Sequence, residues 1–276
     1  MTVASTPAAL RHHLGGYREY EPPAPLAMVA EAAWVYRTFD GASHRVLPDP
    51  AVSLAFWCRR EPDGRPVAAR LTLIGAKTRP HLVHFEAGCE ITAFRIKLEW
   101  ARSLLGLVPA EHNDGEHDLP ALLPRFGTTL FDALVETRTS DQAARLLSAA
   151  LAGKLSRTTG RDGETVGHAL DLVRRTAGRL PIEQIAGKIG ISVRHLRRNV
   201  RRHAGVSLKA YARTQRILAV MTRADRSTQP YWARLAADSG FYDQPHLVRE
   251  CRALCGLTPV EVHRERQVEA EISNRG

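Results

Sequence analysis

The sequence predicts an α+β fold: a small antiparallel, half-barrel-like β domain with helices, followed by an all-α domain of two helix-turn-helix units joined by a long helix. Three observations support this prediction. Apolar runs of strand length, separated by turn residues, occupy residues 44–98. Helical periodicity begins after residue 99, and a pattern of two helices around a glycine occurs twice beyond residue 180. The 276 residues are enough for two separate cores.

The β region follows a proline-rich stretch at 21–25 and an apolar segment at 26–39. The turn signal Glu61-Pro-Asp-Gly64 separates two strand-like runs, and residues 91–98 alternate in polarity as a half-buried strand does. The predicted strands are residues 52–57, 66–74, 81–85 and 91–98.

Helices are predicted from residue 100 onwards, with a polar loop at 111–118. The stretch Ser156-Arg-Thr-Thr-Gly-Arg-Asp-Gly163 is polar and aperiodic, as domain linkers are. The predicted helices are residues 100–107, 128–137, 141–155, 182–189, 193–203 and 208–224, with one more carrying Val166, Leu170 and Val173. The predicted division of the chain is a sensor or dimerisation domain at 1–155, a linker at 156–164, a helical domain at 165–266 and a tail at 267–276.

The basic residues are concentrated in the C-terminal part. Residues 1–160 contain 18 Lys and Arg against 17 Asp and Glu, a net charge of +1, whereas residues 161–276 contain 21 against 12, a net charge of +9. Such asymmetry is typical of a protein whose C-terminal part alone meets a polyanion. A basic membrane-surface helix is the competing interpretation, but it requires larger apolar residues opposite its charges than this chain has.

The N-terminus and the cysteines predict a cytoplasmic protein. The first 16 residues lack the basic and apolar regions of a signal peptide, and no apolar run approaches the ~18 residues that span a membrane. The 4 cysteines include no C-x-x-C pair, as is usual in a reducing compartment. We therefore expect neither secretion nor membrane insertion.

The segment Ile191–His203 combines an apolar stripe with a cationic face. Five of its thirteen residues are arginine, and at 100° per residue they lie away from Val193, Leu196 and Val200. A short helix ending at Gly190 precedes it, and this arrangement presents a helix to the DNA major groove in many proteins. The arginines alone would fit an ordinary solvated helix face, but the whole unit occurs again.

The repeat lies about 50 residues further along the chain. Leu235-Ala236 and Gly240 stand 50 residues after Ile185-Ala186 and Gly190, and one inserted residue then makes the offset 51. Core, turn and outer-face positions recur in the same order, which predicts tandem helix-turn-helix units. The pairs at the second offset are Leu196 with Leu247, Arg198 with Arg249, Val200 with Cys251, Gly205 with Gly256, and Ser207 with Thr258. A capping box is predicted at Thr258, Pro259 and Glu261.

Two segments, Gly240-Phe-Tyr-Asp-Gln-Pro-His-Leu-Val-Arg249 and Gly256-Leu-Thr-Pro259, resemble the signature of the AraC/XylS family of bacterial transcription regulators. Tyr211 and Arg213-Thr-Gln-Arg216 stand where that family's joining helix begins, and the resemblance covers about residues 165–265. It implies a seven-helix domain whose two recognition helices enter successive major grooves of double-stranded DNA, ~34 Å apart. It also implies RNA polymerase as a partner, and a small-molecule effector or a second copy of the chain for the N-terminal domain.

The resemblance assigns roles to residues of both recognition helices. Arginine can bind guanine O6 and N7 together, and glutamine adenine N6 and N7, each good pair contributing about 1–3 kcal/mol of discrimination. Phosphate contacts add salt-dependent affinity but little specificity. The predicted base readers are Arg194, Arg197, Arg198, Gln244, His246 and Arg249. The predicted phosphate contacts are Ser192, Arg201, Arg202, Lys209 and Arg252.

The sequence departs from the family pattern at three positions. Phenylalanine is usual where Val200 and Cys251 stand, so we expect compensating bulk nearby, with Trp232 as the candidate. Serine is usual where Pro245 stands. Because proline has no backbone N–H, the phosphate contact that other members make there is in question.

No cofactor, metal site or catalytic centre is predicted. Cys251 and Cys255 are four residues apart on one helix, but Cys251 holds a core position of the repeat, which favours packing. His81 and His84, with Glu86, could supply metal ligands, yet a spacing of three directs the two histidines to opposite faces of a strand. A solvated turn is the favoured interpretation of Asp114, Glu116, His117 and Asp118.

The N-terminal half resembles a domain type of unassigned role found in other AraC-like regulators, through His44-Arg-Val-Leu-Pro-Asp49 and the Phe56-Trp57 strand. A β domain with an apolar interior could bind a small molecule, dimerise or do both. Packing in an ordinary core is favoured over a ligand pocket for Trp34, Phe56, Trp57 and Phe94.

Two alternatives to a sequence-specific regulator remain. An enzyme delivered to DNA by its basic domain, like the alkyl-repair proteins with a related domain, needs an activated cysteine, usually within Pro-Cys-His-Arg. Neither Cys58 nor Cys89 has that setting. A partner-binding adaptor would bind DNA with an affinity that depends on salt but not on sequence. We expect a regulator that is not an enzyme.

Overall fold

The computed structural model of the protein describes residues 10–14, 16–38, 41–158 and 164–273. A β-rich half precedes a helical half, which confirms the predicted fold class. The strands are β1 (Leu10–Leu14), β2 (Tyr17–Tyr20), β3 (Ala30–Arg37), β4 (Ala42–Val46), β5 (Val52–Arg60), β6 (Pro66–Ile74), β7 (His81–Phe85), β8 (Cys89–Ile96) and β9 (Glu116–Asp118). The first helices are α1 (Ala101–Leu105), α2 (Pro109–His112), α3 (Leu119–Leu122), α4 (Pro124–Val135) and α5 (Ser140–Leu155). The helices of the C-terminal half are α6 (Glu164–Arg175), α7 (Ile182–Ile189), α8 (Val193–Ala204), α9 (Leu208–Ala224), α10 (Trp232–Asp238), α11 (Gln244–Cys255) and α12 (Pro259–Ser273).

Seven strands form one antiparallel sheet in the order β1-β2-β3-β8-β5-β6-β9, and β4 pairs with β7 in a second, two-stranded sheet. The small sheet covers one face of the large one. The ring of Phe85 on β7 lies 5.7 Å from that of Trp57 on β5 and 4.9 Å from that of Tyr36 on β3. The two sheets together form the half-barrel-like arrangement that the sequence predicts.

The two faces of the central strands carry side chains of different size. Leu54 and Phe56 of β5 and Phe94 of β8 are fully buried in the main core. On the other face, Ala55 of β5 lies directly opposite Ala93 of β8. Because successive side chains of a strand point to opposite faces, the same two strands build a packed core on one side and leave space on the other.

The helices that follow the sheet cover its packed face. α4 contacts β6, and α5 contacts β8. α5 begins after Thr139, whose Oγ1 accepts a 3.2 Å hydrogen bond from the N–H of Gln142, and it buries Leu147 and Leu151. The same hydrophobic core continues through α6 and α8 to Leu196. The β-rich and helical halves therefore share one core.

Some short elements differ from the sequence prediction. The apolar segment at 26–39 contains strand β3, and β2 precedes it without any apolar run. Part of the predicted loop at 111–118 is strand β9, which pairs with β6. Backbone hydrogen bonds to neighbouring strands hold these two short strands, so their side chains need not show strand periodicity. Of the predicted linker at 156–164, residues 159–163 lie outside the described residues.

The β-rich half contacts the C-terminal end of α8. The Nδ2 of Asn113 donates a 3.0 Å hydrogen bond to the carbonyl of Gly205, the residue that caps α8. Gly205 has a φ of +70°, and a Cβ at that position would lie 2.6 Å from the backbone nitrogen of Ala110. A helix of the N-terminal half is thus in direct contact with the first repeat unit.

Gly205→Ala is expected to destabilise the protein more than Gly190→Ala. Both glycines cap a helix at positive φ, where an alanine costs roughly 1–2 kcal/mol. A Cβ on Gly190 would enter open space, whereas one on Gly205 would collide with the α2 backbone. Urea denaturation of both variants measures the difference. Equal losses would show that α2 does not dock on α8 in solution.

Candidate nucleic-acid interface and cavity

The first helix-turn-helix unit consists of α7 and α8. α7 ends at Gly190, which has a φ of +77°, and the Oγ of Ser192 caps α8 by accepting a 3.2 Å hydrogen bond from His195 N–H. Leu196 and Val200 are fully buried, as their apolar stripe predicts. The packing of these two residues fixes which face of α8 is turned outward.

The outward face of α8 is covered with guanidinium groups. All five arginines are exposed, and they are Arg194, Arg197, Arg198, Arg201 and Arg202. Only Arg197 among them lies within 4.0 Å of a carboxylate in the described part of the chain, at 3.9 Å from Glu183. Like charges at this density repel one another, so the face favours an anionic partner.

The second unit, α10 and α11, has the same construction. Gly240 ends the first helix at a φ of +75°, and the Oδ1 of Asp243 caps α11 by accepting a 2.7 Å hydrogen bond from His246 N–H. Leu247 and Cys251 are fully buried. The equivalents of the cap, glycine and core positions of the first unit therefore recur here, as the repeat predicts.

The outward face of α11 carries fewer charges. Gln244, Arg249 and Arg252 are exposed, but His246 is half-buried. The His246 ring lies 5.5 Å from that of Phe241, and its Nδ1 accepts a 3.3 Å hydrogen bond from Tyr242 N–H. His246 therefore helps to shape the turn.

Two exposed tyrosines adjoin α10 and α11 and were not among the predicted site residues. Tyr242, in the turn before α11, is 93% exposed, and Tyr231, just before α10, is 72% exposed. Large apolar surface left in water is often part of an interaction site. The sequence held a signal for the exposure of Tyr242: two aromatic residues stand side by side in one tight turn, and its neighbour Phe241 takes the buried position.

Helix α9 holds the two units together. Its 17 residues span about 25 Å, and it contacts both α8 and α11. Arg213 and Arg216 have partners within the protein: the Nε of Arg213 lies 2.6 Å from a carboxylate oxygen of Glu250, and Arg216 donates a 2.6 Å hydrogen bond to the carbonyl of Gly178. Lys209, at the start of the helix, is exposed.

The remaining predictions about this half can be checked directly. Thr258 and Glu261 form the predicted capping box, with Thr258 N–H donating at 2.7 Å to Glu261 and Glu261 N–H at 3.3 Å to Thr258 Oγ1. Trp232 packs against the core cluster that contains Cys251, in line with the expected compensating bulk. Cys255 is also fully buried, and its hydrogen bond with Cys251, together with burial, raises the pKa of the Cys251 thiol.

A cavity of about 410 Å³ lies between the two sheets and α9. Trp34 and Trp57 line it, whereas Phe56 and Phe94 are buried in the main core on the other face of the sheet. The two tryptophans also pack in a second hydrophobic cluster, in which Trp57 is buried, so they combine core packing with a place in the cavity wall. Strand alternation sends Phe56 and Trp57 to opposite sides of the sheet. Gln215 of α9 also lines the cavity, so the helical half forms part of its wall.

A buried ion-pair group lies at one end of the cavity. The Arg95 guanidinium is 2.7 Å from a carboxylate oxygen of Glu19 and 2.8 Å from one of Asp49, and it donates a 3.2 Å hydrogen bond to the Tyr17 hydroxyl. Burial raises the pKa of Asp49, although Arg95 opposes that shift. These ion pairs and hydrogen bonds give this end of the cavity a fixed shape.

A second buried group connects the cavity wall to the helical half. Arg174 of α6 donates hydrogen bonds of 2.6 and 3.2 Å to the two carboxylate oxygens of Glu99, and one of 3.0 Å to the Tyr211 hydroxyl. Its Nη1 is also 3.5 Å from Glu31, which lines the cavity. Burial raises the pKa of Glu31 to about 7, against the effect of Arg174.

Other candidate residues have structural roles. His81 lines the cavity, and the Nδ1 of His84 lies 3.2 Å from the Ser43 hydroxyl. The solvated-turn interpretation of 114–118 holds in part: Asp114 lies in a turn and Glu116 and Asp118 are exposed, but 116–118 form strand β9. Asp114 accepts hydrogen bonds from Thr78, and Asp118 caps α3. These polar residues fold the chain because their carboxylates accept from nearby N–H groups.

The thiols of the N-terminal half are not activated. Cys58 is buried in the main core, and burial raises its pKa to about 11. Burial also raises the pKa of Cys89, which is half-buried. Thiolate, not thiol, is the nucleophile that alkyl transfer needs.

A family model described as a helix-turn-helix domain matches residues 185–265, which extend from α7 into α12 and include both repeat units. The chain carries an AraC-type helix-turn-helix domain. A helix-turn-helix domain of this type supports the role of a DNA-binding transcriptional regulator. A second model, a domain of unknown function (DUF6597), matches residues 18–118, from β2 to β9. The sequence resemblance to an N-terminal domain of unassigned role is thereby confirmed.

Solved structures similar to this chain include regulators with the AraC-type domain. ToxT from Vibrio cholerae is 13% identical, with 84% of this chain and 97% of that chain covered and a TM-score of 0.46. An AraC-type regulator from Chromobacterium violaceum is 21% identical, with 37% and 91% covered and a TM-score of 0.34. No curated protein matches the sequence. Across the described residues, no helix is long and apolar enough to cross a membrane.

Glu31→Gln is expected to flatten the pH dependence of thermal stability. The pKa of Glu31 rises from its ordinary 4.5 to about 7 on folding, so the folded chain holds an extra proton between these values. The stability contributed by that proton is full below pH 4.5 and is lost as the pH rises through 7. The Tm of the wild type relative to Glu31→Gln should therefore fall by ~2 °C or more from pH 5 to pH 8, by calorimetry.

The matched control for this measurement is Glu136→Gln, at an exposed carboxylate at the end of α4. Its Tm should follow the wild type across the same pH range. If Glu31→Gln did the same, Glu31 would not be titrating between pH 5 and 8.

Proposed function

We propose that the protein is a sequence-specific regulator that places α8 and α11 in successive major grooves on one face of DNA. The observation that carries the proposal is the duplicated construction of the two units. Each recognition helix starts at a side-chain cap, ends at a left-handed glycine and buries the equivalent residues, so each turns the equivalent face outward. Tandem units joined by one rigid helix suit a bipartite DNA site.

Different side chains supply specificity and general affinity in this proposal. Exposed groups near the N-terminal part of each recognition helix reach base edges, and those further along or at the flanks contact phosphate. The proposed base readers are Arg194, Arg197, Arg198, Gln244, His246 and Arg249. The proposed phosphate contacts are Ser192, Arg201, Arg202, Lys209 and Arg252. His246 is half-buried, so a smaller fraction of it is exposed than of any of the other five proposed base readers.

Arg198→Ala and Arg249→Ala should each erode recognition of one half of the binding site. The site is first recovered by selecting bound fragments from a genomic DNA library. Losing one good base contact should weaken binding to that site about 10-fold or more, and relax the preference at one or two base pairs only. Arg145→Ala, at an exposed arginine of α5, is the matched control and should bind as the wild type does.

Binding that is unchanged in both variants would contradict the assignment of the recognition helices. Affinity that never distinguishes the selected site from random DNA would instead support a partner-binding adaptor. Arg201→Ala provides a separate check on the phosphate contacts. It should reduce the slope of log affinity against log salt concentration by about 0.9 and leave base preference intact.

The N-terminal half is proposed to regulate DNA binding through a small molecule in its cavity. The cavity is bounded by both halves, and its wall residue Glu31 lies 3.5 Å from Arg174 of the first helix of the DNA-binding half. A ligand that favours one position of Glu31 would therefore act on the contact between the halves. Contact with RNA polymerase and pairing of two copies of the chain are further parts of this proposal.

A further inference from the structure

Side chains of three neighbouring strands of the large sheet form one wall of the cavity. In successive rows across β3, β8 and β5, the register aligns Tyr36 with Ile91 and Trp57, and then Trp34 with Ala93 and Ala55. The two alanines are fully buried in the adjoining hydrophobic cluster, so the larger side chains of these rows face the cavity. A site of 410 Å³ is within the range of pockets that hold small organic molecules.

One end of the cavity is aromatic. The rings of Trp57 and Phe85 are stacked at 5.7 Å with an angle of 23° between their planes, and Tyr36 lies 4.9 Å from Phe85 on the other side. Trp34 adds a fourth ring, whose buried Nε1–H has no hydrogen-bond partner among the described residues. Such walls fit a flat apolar group, and the unpaired N–H favours a ligand with an acceptor atom.

Lys77 lies at the other end and is an unusual cation for such a position. Its side chain is only 7% exposed, and its Nζ donates one hydrogen bond, of 3.1 Å, to the carbonyl of Gly115. Burial lowers its pKa, although the carboxylates of Glu116 and Asp114 oppose that shift. Neither carboxylate lies within 4.0 Å of it among the described residues, so an anion in direct contact with this buried charge would be bound favourably.

The other cations of the cavity wall already have carboxylate partners. Arg95 is paired with Glu19 and Asp49, Arg45 lies 2.9 Å from Glu265, and Arg266 lies 2.6 Å from Asp225. His81 stands near Lys77, which together with burial lowers the pKa of its ring. An incoming anion is therefore directed to Lys77.

The distance between the two ends limits the ligand's length. His81 and Phe85, the first and last residues of β7, both line the cavity, and this strand is about 13 Å long. A single ring with a short side chain fits within that length. The middle of the cavity accommodates the linking atoms.

We propose that the cavity binds a small aromatic carboxylate, with its ring among Trp34, Tyr36, Trp57 and Phe85 and its carboxylate on Lys77. This inference rests on the proposed function, because it names the chemical class of the regulating molecule. A carboxylate accepts hydrogen bonds from Lys77 and also neutralises its charge, whereas a neutral head group of the same size can only accept and a cationic one is repelled. The aromatic end alone would not distinguish these head groups.

The test uses the full-length protein and three compounds that differ only in their head group. They are 3-phenylpropionate, 3-phenylpropan-1-ol and 3-phenylpropylamine, and isothermal titration calorimetry measures their affinities. The acid should bind at least about 10-fold more tightly than the alcohol, because only the carboxylate adds a charge–charge attraction to its hydrogen bond with Lys77. Equal or tighter binding of the alcohol or the amine, or no binding of the acid at millimolar concentration, would overturn the proposal.

Lys77→Met should abolish the preference for the acid while leaving the alcohol's affinity unchanged. Lys154→Met is the matched control, since Lys154 lies on α5 outside the cavity wall and stacks on Phe126. A Lys77→Met protein that still prefers the acid would place the anion elsewhere and overturn the proposal.

Ser53→Leu, which adds bulk to a residue of the cavity wall, should abolish binding of the acid and the alcohol alike. Unchanged ligand binding by a folded Ser53→Leu protein would show that the ligand occupies another place. Selection of bound DNA is repeated with each variant. Loss of ligand binding with intact DNA recognition would overturn only the ligand proposal, whereas a wild type that recognises no DNA sequence would overturn the proposed function.

Discussion

The rest of the structure depends on the interaction of the Arg174 guanidinium with the carboxylate of Glu99. Arg174 belongs to the first helix of the DNA-binding half, and Glu99 of the β-rich half accepts two hydrogen bonds from it. Removing a charge from water is costly unless it is paired, so Glu99 and Tyr211 must be in place when the two halves meet. Glu31 adds a second carboxylate at 3.5 Å and also borders the cavity. The placement of the recognition helices and the shape of the cavity are thus linked through one cluster.

The two helix-turn-helix units share their construction but not their surfaces. Side-chain caps, left-handed glycines and buried positions coincide, because each is needed to seat a recognition helix. The outer face of α8 carries five arginines, whereas that of α11 carries glutamine, histidine and arginine, with Tyr242 exposed beside it. In the proposed complex the first unit supplies more of the salt-dependent affinity. The second supplies more varied base contacts.

The DNA-binding half was largely predictable because its signals are local. Gly190 determines a turn, Ser192 a helix cap and Leu196 a buried face, all within a few residues. Their counterparts 50 or 51 positions later repeat the same signals. The N-terminal half was less predictable, since β9 is held by β6, some 40 residues away, and β2 shows no apolar pattern. Burial of Phe56 in the core and exposure of Trp57 to the cavity depend on which face the helices cover.

The sequence by itself determined the tandem units, the concentration of positive charge and the residues on the outer faces of α8 and α11. These follow from helical periodicity and glycine conformation, which act over short distances. Only the tertiary structure decided the cavity, the contact of α2 with Gly205 and the unpaired position of Lys77. Glu31 and Arg174, for example, are 143 residues apart in the chain. Their contact depends on how the sheet and α6 pack together, and no local pattern encodes that packing.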